Sequence, residues 1–174
     1  MEIPLIYVNE AQRMSSPSDR KEPASTQAKD PYIEEGLYDR AHMLVEYFPD
    51  NMGGKLGMEF THFAKDLVIA EMPVDHRTIQ PFGLLHGGAS VALAESVASV
   101  GGWLNVPDES FRAVGLEINA NHLRPAKIGE RVEGRATPIH MGRQTHVWDV
   151  EIRTMGREKL VCKSRCTIAI IKMI

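Results

Sequence analysis

The stretch QPFGLLHGGASVALAES, residues 80 to 96, decides how the rest of the chain is read. After Gly87 and Gly88, the residues Ala89, Val91, Ala92, Leu93, Ala94, Val97, Ala98, Val100 and Gly101 surround a single carboxylate, Glu95, almost all the way round. A helix that is apolar on every side is usually a buried one, and its small side chains let a sheet approach closely. A Glu on such a helix has left water, which is unfavourable unless the group is paired or has a task. The bland alternative puts Glu95 with Ser96 and Ser99 on a wet stripe along a half-buried helix.

Outward from this helix, the chain downstream reads as strands. VGLEINANHLRP (114–125), ERVEGRATPIH (130–140), THVWDVEIRT (145–154) and KLVCKSRCTIAII (159–171) alternate between apolar and polar residues. The breaks AKIG, MGRQ and MGRE carry turn chemistry. Upstream, MEFTHFAKDLVIAEMPV (58–74) reads as two short strands around Lys65–Asp66, followed by a loop over 75–86. Leu37, Ala41, Leu44, Val45 and Phe48 recur at helical spacing until Pro49. One long helix among antiparallel strands predicts an α+β fold, a curved sheet wrapped around a central helix. Residues 12–33 are rich in Ser, Pro and charge, so 1–35 reads as a flexible tail and 36–174 as a single domain.

The chain has 174 residues, 43% hydrophobic and 25% charged, enough for one domain with a substantial core. Twenty basic against 23 acidic residues give a net charge of −3, with no general pull toward nucleic acid or an anionic membrane. No run approaches the roughly 18 to 20 apolar residues of a membrane helix. MEIPLIYVNE has no basic n-region. Cys162 and Cys166 lie four apart on one strand face, too far apart for an easy disulfide, which fits reduced, packed thiols in a cytoplasmic protein. The seven histidines include no HExxH pair, and His140 and His146 lack an accompanying thiolate or acidic set, so no metal is expected. G-x-S-x-G and the phosphate-loop motifs are absent as well.

The start of the central helix is where free backbone N–H groups and the positive end of the helix dipole converge. Glycine at 87 and 88 permits close approach of a ligand, His86 stands beside them, and Gln80 offers a second donor. Such a site can hold the oxyanion of acyl transfer. By itself, HGG reads equally as a glycine turn with a surface histidine. Together, a carboxylate and an oxyanion site are the parts that hydrolyse an activated acyl group, with Glu95 as nucleophile or as base on water. Gly87 and Glu95 are separated by roughly 12 Å of helix. A carbonyl carbon must lie within about 3 to 3.5 Å of its attacker. Two antiparallel copies about a two-fold would pair one chain's Glu95 with the other's Gly87, which predicts a homodimer with shared active sites.

QPFGLLHGGASVALAES, VGLEINANHLRP and HMGRQTHVWDVEI resemble the hotdog-fold acyl-CoA thioesterases. The similar group holds the phenylacetate-pathway, enterobactin-associated and 1,4-dihydroxy-2-naphthoyl-CoA thioesterases. The resemblance covers about Gly53 to the C-terminus. It implies a hotdog fold in which Glu95 is the catalytic carboxylate. The Gly87 N–H would polarise the thioester carbonyl, assisted by His86 and Gln80, and Ser99 would line the site. It also implies coenzyme A at a subunit interface, as part of an acyl-CoA or aroyl-CoA substrate rather than as a cofactor, often in a dimer of dimers.

The loops Asn121–Pro125 and His140–Arg143 carry basic groups and a glycine, read either as solvated turns or as phosphate ligands. The resemblance favours contacts to the coenzyme A phosphates, above all by Arg124 and Arg143, with His122 and Gly142 in the same loops. Phe82 would border the acyl pocket. The rival from another class is a non-catalytic acyl-CoA-binding module, which the presence of Glu95 argues against. A hotdog dehydratase would need a catalytic His motif that is absent. The acyl group itself is not legible, and the long tail departs from the group's pattern.

Overall fold

The computed structural model describes residues 30–173. Its elements in chain order are β1 (Tyr32–Ile33), α1 (Tyr38–Tyr47), a short α2 (Met52–Lys55), β2 (Glu59–Phe63), β3 (Val68–Pro73), α3 (Gly87–Leu104), β4 (Phe111–His122), β5 (Arg131–Met141), β6 (Thr145–Thr154) and β7 (Leu160–Lys172). The strands form one sheet in the order β1-β2-β3-β5-β6-β7-β4. It is antiparallel except where β1 pairs with β2. The sheet curls around α3, which packs against β3, β4, β5, β6 and β7.

The alternation read in the sequence is what makes this wrap possible. On β6, His146, Trp148, Val150, Ile152 and Thr154 are buried on one face, and on β7 so are Cys162, Ser164, Cys166, Ile168 and Ile170. The opposite face carries charge: Lys163 Nζ donates to Asp149 at 2.5 Å and to Glu151 at 3.0 Å. Exposed ladders of this kind contribute about 0–1 kcal/mol per pair. Both cysteines are buried free thiols, as their spacing predicts.

Close packing depends on the small residues of α3. A Cβ on Gly101 would lie 2.6 Å from the Trp148 ring, and one on Gly102 would lie 2.9 Å from Ile168. Trp148 is fully buried over that gap. Trp148→Ala is therefore expected to lower stability by about 3–5 kcal/mol. Urea unfolding measures this; a loss below about 1 kcal/mol would show that the ring is not central to the core.

The C-terminus of α3 is closed from upstream. Arg40 on α1 donates to the carbonyls of Trp103 (3.3 Å), Leu104 (3.2 Å) and Val106 (3.0 Å). Trp103 and Leu104 stand in the last turn of α3, where carbonyls lack helical partners, and a cation there also suits the dipole.

The sheet reaches upstream of Gly36, because Tyr32–Ile33 pairs with His62–Phe63 and Tyr32 stacks on His62. Two residues carry no readable period, so only the tertiary pairing reveals this strand. Residues 1–29 of the tail lie outside the described residues. At the other end of the sheet, β4 is an open edge with Val114 and Leu116 exposed. No described helix is long and apolar enough to cross a membrane.

Candidate active site

The loop between β3 and α3 is braced at both ends. Arg77 donates to Asp75 through its backbone N–H (2.9 Å) and its guanidinium (2.6 Å to Oδ2), while the Thr78 hydroxyl donates to the Pro73 carbonyl at 2.8 Å. Leu85 N–H donates to Ala126 O at 2.9 Å and His86 N–H to Thr78 O at 2.8 Å. Burial raises the Asp75 pKa, but the hydrogen bonds and charge of Arg77 outweigh it and leave the carboxyl below its ordinary value.

This bracing delivers His86 as the N-cap of α3. Its Nδ1 accepts from Gly88 N–H at 2.8 Å, so neutral His86 carries its proton on Nε2. Ala89 N–H and Ser90 N–H both donate to His86 O, at 3.0 and 3.1 Å. Of the first four helix N–H groups, the Gly87 N–H alone has no partner among the described residues. A Cβ on Gly87 would lie 2.9 Å from His122 Nε2, so the imidazole at the end of β4 stands close beside Gly87. Gln80 accepts from Phe82 N–H through Oε1 at 2.6 Å, which leaves its amide NH2 as a donor.

Gln80, Gly87, His122 and Arg124 line one cleft of about 370 Å³. Ser90 and Val161 line it too, and the sequence reading missed both. Ser90 was legible in principle, three residues after Gly87 on the same helix face. Val161 was not, because only the pairing of Leu123 N–H with its carbonyl brings it there.

The other expected residues lie elsewhere in one chain. Glu95 is half-buried two turns down α3, facing β4, with no hydrogen-bond or ion-pair partner among the described residues. Its surroundings show in Cys166, whose thiol is pushed up to about 12 by burial first and then by the charges of Glu95 and Glu117. Ser99 is half-buried one turn further on. Phe82 is 76% exposed at the loop tip and does not line the cleft. Gly142 and Arg143 sit in the β5–β6 turn, beside Ile170, whereas Arg124 donates to Leu160 O. These are opposite ends of β7, about 30 Å apart along the strand, so one chain does not bring Arg124 and Arg143 together. Among the described residues no three His, Cys, Asp or Glu side chains gather as a metal site.

His146 lies beneath that same turn. Burial lowers its pKa from the ordinary 6.5; the neighbouring Gly142 backbone opposes this, and nearby His140 lowers it further. A depressed histidine binds fewer protons folded than unfolded. Its contribution is complete above pH 6.5 and is lost as pH falls from there through the folded-state pKa. Thermal midpoints are expected to fall more steeply below pH 6.5 in the wild type than in His146→Phe. Equal slopes would remove His146 from the acid sensitivity.

Comparison with known proteins gives this geometry a family. The model of the thioesterase superfamily matches residues 82–161. The 1,4-dihydroxy-2-naphthoyl-CoA hydrolase of Escherichia coli is 53% identical over 121 residues, covering 70% of this chain and 87% of that protein. The proofreading thioesterase EntH of Klebsiella pneumoniae is 46% identical over 115 residues, covering 66% and 82%. This chain belongs to the thioesterase superfamily. The solved thioesterase of Haemophilus influenzae superposes with a TM-score of 0.70 at 46% identity, covering 79% of this chain and 92% of that one.

The fold is the hotdog α+β architecture, and the protein is a thioester hydrolase. Such an enzyme must stabilise an oxyanion and activate an attacking oxygen.

Proposed function

We propose that this thioester hydrolase cleaves acyl-CoA or aroyl-CoA to a carboxylic acid and free coenzyme A. The observation that carries the reading is the N–H of Gly87 at the head of α3, without a partner among the described residues, on a residue that lines the cleft beside His122. There it receives the thioester oxygen, assisted by the Gln80 amide and the His86 Nε2–H. As a base, Glu95 takes a proton from water, the hydroxide adds to the carbonyl carbon, and collapse expels the thiolate, which takes up that proton from Glu95 to leave as the thiol. As a nucleophile, Glu95 adds directly, the thiolate leaves, and water hydrolyses the resulting anhydride. Coenzyme A enters as part of the substrate and leaves as product, and no cofactor is required by either route.

Gly87 and Glu95 of one chain both face β4, but toward its opposite ends. The open edge of β4 supports an antiparallel pairing of two chains about a two-fold, which sets the partner's Glu95 near Gly87. The same pairing supports a nucleotide held by Arg124 of one chain and Arg143 of the other. Two such dimers would make the tetramer that the family resemblance implies, working in the cytoplasm. The name of the Escherichia coli relative supports an aroyl substrate.

Thiol release from a panel of short-chain, medium-chain and aromatic CoA esters tests the reading. Turnover is expected on at least one class, with the mass of a dimer or larger in solution. A fully active monomer would overturn the shared site. Hydrolysis of carrier-protein thioesters alone would overturn the CoA assignment.

A further inference from the structure

Along β4 the inward-facing side chains fall out of step. Ala113 and Gly115 pair with Ile170 and Ile168 of β7, then the register slips between Gly115 and Glu117, and Ile118 pairs with Cys166. Leu116 is the extra residue of this bulge and is 61% exposed. Glu117 is exposed too, and its carboxylate accepts from Asn119 at 3.1 Å. A bulge re-aims side chains on its strand. Here it leaves the inner face of the edge strand without a side chain from Ala113 to Ile118, because Gly115 has none to offer.

The carboxylate of Glu95 occupies that gap. A Cβ at Gly115 would collide with Glu95 Oε1 and lie 3.4 Å from the carboxyl carbon. Gly115 does not have a positive φ, so its backbone does not require glycine. The reason for glycine at this position is space. We infer that Gly115 and the Leu116 bulge form the seat that positions the Glu95 carboxylate for the reaction, making Gly115 a positioning residue. The inference rests on the catalytic reading of Glu95.

A methyl group in the seat pushes the carboxylate aside, and a misplacement of the order of 1 Å lowers turnover by about 100-fold. Gly115→Ala is therefore expected to lower kcat by about that factor, with KM within about threefold of wild type. Glu95→Asp shortens the side chain by one methylene and makes room for the methyl. The double variant Gly115→Ala/Glu95→Asp is then expected to exceed the product of the two single effects by at least about tenfold, a coupling that a general loss of strand stability does not produce.

Wild-type kcat in Gly115→Ala, with Glu95→Gln inactive, would overturn the seat and leave the Glu95 reading standing. Activity in Glu95→Gln would overturn that reading and the seat with it. If Gly115→Ala dissociates the oligomer and Glu95→Asp does not restore activity, the glycine serves the interface and the seat is overturned. If Gly115→Ala is insoluble, recovery of folded protein by Glu95→Asp supports the same contact, and failure in both backgrounds overturns it.

Discussion

Glu95→Gln is expected to lose about 10³-fold in kcat for thioester hydrolysis while the fold persists. The substitution preserves the shape of the side chain and removes its charge and its proton-accepting oxygen. Glu95 has no hydrogen bond or ion pair among the described residues, so no partner is orphaned by the change. The loss therefore reads on chemistry rather than on stability. Steady-state thiol release alongside a thermal midpoint measures both. A kcat within a few-fold of wild type would end the role assigned to this carboxylate.

Gly87→Pro is expected to lower kcat by about 10²–10³-fold by deleting the donor proposed for the oxyanion. Proline suits the first position of a helix, where its missing N–H has no helical partner in any case. The residue before it, His86, has φ −68° and ψ 133°, a conformation compatible with a following proline. The ring would press on His122 Nε2, the free end of an exposed side chain that can turn away. Helix and cleft therefore persist while the N–H is gone. Gly87→Ala retains the N–H and serves as the control, with a much smaller loss expected. Equal losses in the two variants would assign the effect to crowding of His122.

Both variants act at points that the sequence marks openly. Glycine pairs, a lone carboxylate in an apolar run and a capping histidine are local signals, and α3 appears over the residues where its composition places it. The strands were equally legible, since alternation has one period wherever one face is buried. THVWDVEIRT is β6 end to end. The two short strands around Lys65–Asp66 are β2 and β3.

Other features were silent because they arise between distant segments. Arg40 reads as an ordinary exposed residue of a helical stretch until folding brings it to the carbonyls more than sixty positions downstream. Val161 enters the cleft only through strand pairing, and β1 exists only because β2 offers it an edge. The bulge at Leu116 interrupts an alternation that looked continuous on paper, and pairing with β7 is what reveals the slip.

Sequence by itself determined the fold class, the buried helix and the identity of its carboxylate, because periodicity and side-chain polarity act over a few residues. Tertiary structure decided which N–H stays free, that Arg124 and Arg143 stand at opposite ends of the sheet, and that Glu95 lies in a gap in an edge strand. Those facts depend on register and on the crossing of α3 over β4, which are set by packing the whole chain at once.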